Sequence, residues 1–126
     1  MMELAKQIQE MIELQVRPSE DTERYFEAVM QTKDLDMLRM MLRKVIGEPL
    51  KPAGKVTRFT KEIKPLIDDI GGLRPEQSFY LKEESGDRYL YVALWPWQSD
   101  PSRITLKIGR GSFADLPKRK KLFFWQ

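Results

Sequence analysis

Any bond-breaking chemistry in this chain falls to carboxylates, lysines, tyrosines and serines, because it contains neither histidine nor cysteine. That removes the commonest general base, the thiolate nucleophile and most transition-metal ligands. The acids are poorly spaced for shared work. Asp68 and Asp69 are neighbours, so on a helix they would diverge by about 100°. Glu83 and Glu84 would fall on opposite faces of a strand. Carboxylates can hold magnesium or calcium, but no EF-hand loop occurs. A serine nucleophile would need lysine as its base, and no Ser-x-x-Lys is present. These acids read as solvated surface charge. The expectation is a chain that is not an enzyme, with no catalytic, metal-binding or cofactor-binding residues.

Three stretches invite a binding role. Gly109, Gly111 and Ala114 match the spacing of a dinucleotide fingerprint after an expected strand. Such a fingerprint needs a helix to begin there and hold the pyrophosphate on its amides. Pro117 interrupts the segment too soon, so the glycines are assigned to a turn or bulge. The second stretch is Lys118, Arg119, Lys120 and Lys121, followed by Leu122, Phe123, Phe124 and Trp125. Consecutive cations suit phosphates and aromatics suit exposed bases. The same run also suits an anionic membrane surface, or a terminal strand whose lysines discourage edge-to-edge pairing. The third is Trp95-Pro96-Trp97. An exposed tryptophan pair can hold a proline-rich peptide, a sugar ring or a base, and a buried one is core.

These residues need elements to place them. Leu4, Ile8, Met11 and Ile12 form one helical stripe, which Pro18 ends. Ser19 then suits the cap of a second helix bearing Tyr25, Phe26, Val29 and Met30. A third runs from a cap at Asp34 to Gly47. Its apolar residues exceed one stripe: Met37 and Met40 lie outside the line of Leu35, Leu38, Leu42 and Val45. That helix is either sandwiched in the fold or part of an interface. After a loop over 47–55, a short extended piece at 55–59 and a helix over about 61–70 are expected, closed by Gly71 and Gly72.

The second half reads as antiparallel β, with strands at 78–84, 88–95 and 103–108, turns at 85–87 and 98–101, and an irregular tail after Gly109. Residues 122–125 suit a fourth strand. All aromatics but Tyr25, Phe26 and Phe59 lie at or beyond position 79. The strand from Arg88 is apolar on both faces: Leu90, Val92 and Leu94 on one, Tyr89, Tyr91, Ala93 and Trp95 on the other. It should be covered twice, once by helices and once by the C-terminal tail or a partner subunit.

The expected fold is therefore α+β in one domain over 1–126. A helical layer of three to four helices (1–46, with a loop and helix over 47–77) packs on a three- to four-stranded antiparallel sheet from 78–126. At 126 residues a chain can build a core without disulfides. The absence of cysteine fits a reducing compartment. No stretch has the roughly 20 apolar residues of a membrane span, and the N-terminus lacks the apolar run of a secretory signal; the expected location is cytoplasmic. Charge is uneven: residues 1–36 carry four basic and nine acidic side chains, the rest eighteen and ten. That hints at a polyanion surface, or at acidic helices set against basic strands.

The functional expectation is a non-enzymatic binding or protein-interaction module that self-associates, as a homo-oligomer or with a protein partner. Its candidate surface is Tyr89, Tyr91, Trp95, Trp97, Met37 and Met40. The alternative is nucleic-acid binding, with Lys118, Arg119, Lys120 and Lys121 on phosphate.

Overall fold

The computed structural model describes residues 2–117. Helix α1 (Met2–Met11) leads into strand β1 (Leu14–Arg17) and strand β2 (Tyr25–Gln31). A short 3-10 turn precedes helix α2 (Leu35–Val45). Helix α3 (Lys64–Asp69) follows a long loop, and strands β3 (Ser78–Glu83), β4 (Arg88–Pro96) and β5 (Arg103–Ser112) complete the order. The strands form one antiparallel sheet in the order β1-β2-β5-β4-β3.

This corrects the expected layering. Among the described residues there are three helices, two of them of seven residues or more, and five strands in one sheet. The helix expected after Ser19 is strand β2. Tyr-Phe-Glu-Ala-Val-Met satisfies a period of two as well as a helical stripe: Phe26, Ala28 and Met30 face one side, Tyr25, Glu27 and Val29 the other. Pairing decides between the readings, because β2 lies between β1 and β5. Where a helix capped by Ser19 was expected, Asp21 makes a turn, its carboxylate and carbonyl accepting from the Arg24 and Tyr25 amides respectively. The chain is extended before Pro18, whose ring disfavours helical geometry in the residue ahead of it.

Two smaller corrections have similar causes. Residues 55–59 form no strand. The helix expected over about 61–70 is α3, which begins only at Lys64 and so places Pro65 in its first turn, where a missing N–H costs nothing.

Each face of the sheet has its own core. On the first, Leu4 and Ile8 of α1, Ile12 just after it, and Leu38 and Leu42 of α2 pack on Met30, Leu90, Val92, Leu94, Ile104, Leu106 and Ile108. On the second, Leu66 and Ile67 of α3 pack on Phe79, Tyr91 and Ala93, with Phe59, Ile63, Ile70 and Leu73 around them. Strand β4 is thus covered twice, as its two-sided pattern required. The second cover is α3 and its flanking loops, joined by Phe113 and Leu116 of the stretch after Gly109. Helix α2 is not sandwiched: Leu38 and Leu42 are fully buried, while Met37 and Met40 are 50% and 61% exposed.

The tail was expected to be irregular after Gly109, yet β5 continues to Ser112. Register explains both glycines. Gly109 stands opposite Tyr91 and Gly111 opposite Tyr89. A Cβ on Gly109 would collide with the Tyr91 ring, and one on Gly111 would come within 2.7 Å of the Tyr89 hydroxyl. The glycines make no turn or bulge; they let two tyrosine rings lie flat across the neighbouring strand.

Candidate interaction surface

Alternation along β4 lines up Tyr89, Tyr91, Ala93 and Trp95 on the second face, and Trp97 extends the file. Their surroundings differ. Tyr91 stacks on Phe79 at 5.7 Å and Tyr89 meets Phe113 at 4.9 Å, which buries both tyrosines. Trp95 packs on the margin of this second core and Trp97 lies beyond it, and both are only half-buried.

Strand β5 supplies the partners. Ile104, Leu106 and Ile108 turn into the first core, so Arg103, Thr105 and Lys107 must face the second side. Thr105 Oγ1 accepts from the Trp97 indole at 2.8 Å. The Arg103 guanidinium sits 5.6 Å from the centre of the Trp97 ring, and Lys107 Nζ lies 3.4 Å from that of Trp95. Lys107 stands opposite Ala93, whose small side chain leaves room for the lysine stem. Burial pushes the Lys107 ammonium down from its ordinary range, and Glu27 opposite it resists that shift. Glu27 also pairs with Arg17 at 3.5 Å and accepts from Tyr25 at 2.6 Å.

The result is a half-covered face. Over β3 and β4 it is sealed by α3; over β1, β2 and β5 it carries Gln15, Arg17, Glu27, Thr105 and Lys107 beneath no other layer among the described residues. A groove of about 740 Å³ runs between residues 71–74 and 95–99, where the open and sealed halves meet. A second depression of about 410 Å³ lies on the other side of Arg103, against Gln15, Val29 and Gln31. The Trp95 Nε1–H is buried and has no acceptor among the described residues, a cost of about 1–3 kcal/mol when a donor is left unmade.

The six residues expected to share one surface do not. Trp95 and Trp97 lie together, Tyr89 and Tyr91 are inside the second core, and Met37 and Met40 are on the outer side of α2, across the sheet. Lys118, Arg119, Lys120 and Lys121 lie outside the described residues, as does the strand expected at 122–125. Arg103 joins the tryptophans, whereas Arg88 and Arg110 stand at the opposite end of the strands, near Arg24, with Glu23, Glu84 and Asp115 interleaved. The alternation of Ile104, Leu106 and Ile108 already implied the placement of Arg103 and Lys107; the hairpin register was needed to set them against particular rings.

Lys51 carried no such signal. It is buried, and its ammonium donates to the carbonyls of Pro52, Pro75 and Gln77 at 3.1, 2.9 and 2.6 Å. Burial lowers its pKa, with Glu76 opposing. Its backbone exchanges hydrogen bonds with Phe79, which caps the outer edge of β3. Its role is to pin the 47–55 loop to the sheet.

Asp68 and Asp69 lie in and at the end of α3, and Glu83 and Glu84 are exposed at the β3 turn. Among the described residues no three acids gather as a metal site, and no helix is long and apolar enough to cross a membrane. No protein-family model, curated protein or solved structure matches this chain.

Proposed function

We propose that this chain is a non-enzymatic protein-interaction module that docks through the open half of its second sheet face and self-associates. One observation carries the reading: the second core closes over Tyr89 and Tyr91 but runs out at Trp95, leaving Trp95 and Trp97 half-buried beside Lys107 and Arg103. Tryptophan and arginine are the side chains that most often concentrate binding energy at protein contacts. Sedimentation velocity over a wide concentration range tests it. The mass should rise with concentration; a monomer at every concentration overturns self-association. A cytoplasmic location belongs to the same reading, supported by the cysteine-free composition.

A second reading is favoured by Arg103 and Lys107 resting on the tryptophan rings, an arrangement that also suits nucleic-acid bases and phosphates. It predicts that a single-stranded oligonucleotide quenches tryptophan fluorescence at low salt and is released steeply as salt rises. If neither single strand nor duplex binds at low salt, that reading is discarded.

A further inference from the structure

The two edges of the sheet are treated differently. The β3 edge is blocked where Lys51 bridges Phe79. The β1 edge has no such cover among the described residues, and Val16 on it is 46% exposed. Uncapped edges are templates for another strand.

The hydrogen-bond phase shows what this edge offers. The Thr32 amide donates to Ser102 at 2.8 Å and the Arg110 amide to Arg24 at 3.0 Å. The even-numbered residues of β2 therefore aim their backbone groups at β5, and the odd-numbered ones at β1. Gln15 and Arg17, opposite Val29 and Glu27, are thus the β1 residues bonded inward. Leu14 and Val16 are left with N–H and C=O groups on the open edge.

From this edge we infer that two copies of the chain pair β1 with β1 in antiparallel register about Gln15, joining two sheets into one. The inference rests on the self-association reading and names its seam. In that register Leu14 faces Val16 of the second copy, and these are the residues whose backbone groups are free, so the ladder closes in phase. Their side chains meet on the helix-bearing face, where Leu14 already packs on the first core and would cover the exposed Val16. On the other face Glu13 stands opposite Arg17 of the second copy, twice by symmetry. The sequence Glu-Leu-Gln-Val-Arg is charge-complementary to itself when reversed. Shifting the register by one residue puts inward-bonded residues opposite outward-facing ones. Shifting it by two loses both charge pairs, and centring on Val16 sets Leu14 against Pro18, which has no N–H. The open halves of the two second faces would then adjoin.

The test is a pair of charge reversals in the full chain, followed by sedimentation at rising concentration. Glu13→Arg or Arg17→Glu alone sets like charges opposite each other at both symmetric positions, and should raise the dimer dissociation constant by about tenfold or more. Mixing the two variants sets Arg against Glu at every position, so dimers should return to wild-type strength, a recovery that misfolding cannot produce. Amide exchange on the wild-type chain should show Leu14 and Val16 gaining protection as concentration rises. If the wild type dimerises and the single variants dimerise equally well, or mixing restores nothing, the seam is wrong while self-association stands. If the wild type stays monomeric at every concentration, both fail; protected Leu14 and Val16 amides in that monomer would assign the edge to another segment of the same chain.

Discussion

Under α1 and α2 the sheet presents Val92, Leu106 and Ile108, all fully buried, to an aliphatic layer that reaches across most of its width. Under α3 the same strands present aromatics, and a six-residue helix covers only part of them. The first face uses interchangeable branched side chains whose value is area removed from water. The second uses rings that need specific neighbours: glycine opposite each tyrosine, alanine opposite Lys107, threonine beneath Trp97. One face is covered throughout; among the described residues the other is covered over only half its width.

Several perturbations would break or sharpen that contrast. The largest effect is expected at high pH. All four tyrosines, Tyr25, Tyr80, Tyr89 and Tyr91, have pKa values raised above 10.0, each chiefly by burial, and Tyr25 also by its bond to Glu27. A raised folded pKa means that this stability is intact below about pH 10 and is lost as pH climbs through the folded values. Lys51 and Lys107 act in the opposite sense, since their lowered values make deprotonation easier in the folded state. Phenolate absorbance should stay silent past pH 10 and then appear together with loss of circular dichroism. Early titration of Tyr25 alone would mark the open half as looser than described.

Next comes Leu42→Ala in the first core, expected to cost about 2–5 kcal/mol in denaturant unfolding. Met40→Ala on the same helix, more than half exposed, should stay within about 0.5 kcal/mol. Gly109→Ala should cost about 1–3 kcal/mol by forcing the Tyr91 ring off its strand. Gly111→Ala should cost less, because only the Tyr89 hydroxyl end must move. On the second face Trp97→Ala should cost about 1 kcal/mol, since it removes the bond to Thr105 and the seat of Arg103. On the proposed function it should weaken association more than it weakens folding. Equal losses at Trp97 and Leu42 would erase the distinction between the faces.

Much of this architecture was legible in the residues. The two-sided pattern of Leu90, Val92 and Leu94 against Tyr89, Tyr91 and Ala93 required cover on both sides of β4, and Gly47 (φ 117°) marks the end of α2 in the left-handed conformation that only glycine adopts cheaply. What escaped was decided by pairing. Residues 25–30 carry both periodicities, and only the partners β1 and β5 select the strand. Gly109 and Gly111 read as breakers until the register puts a tyrosine over each. The grouping of Met37 and Met40 with the tryptophans dissolved for the same reason, since spacing reports a face of an element but not which layer that element joins.

The most direct test is a dilution series of amide and indole nuclear magnetic resonance spectra on the full chain. Shifts should move with concentration at Gln15, Val16, Arg17, Thr105 and the Trp97 indole, and stay fixed at Leu38 and Leu42. Spectra that do not change with concentration, or changes confined to Met37 and Met40, would contradict the account.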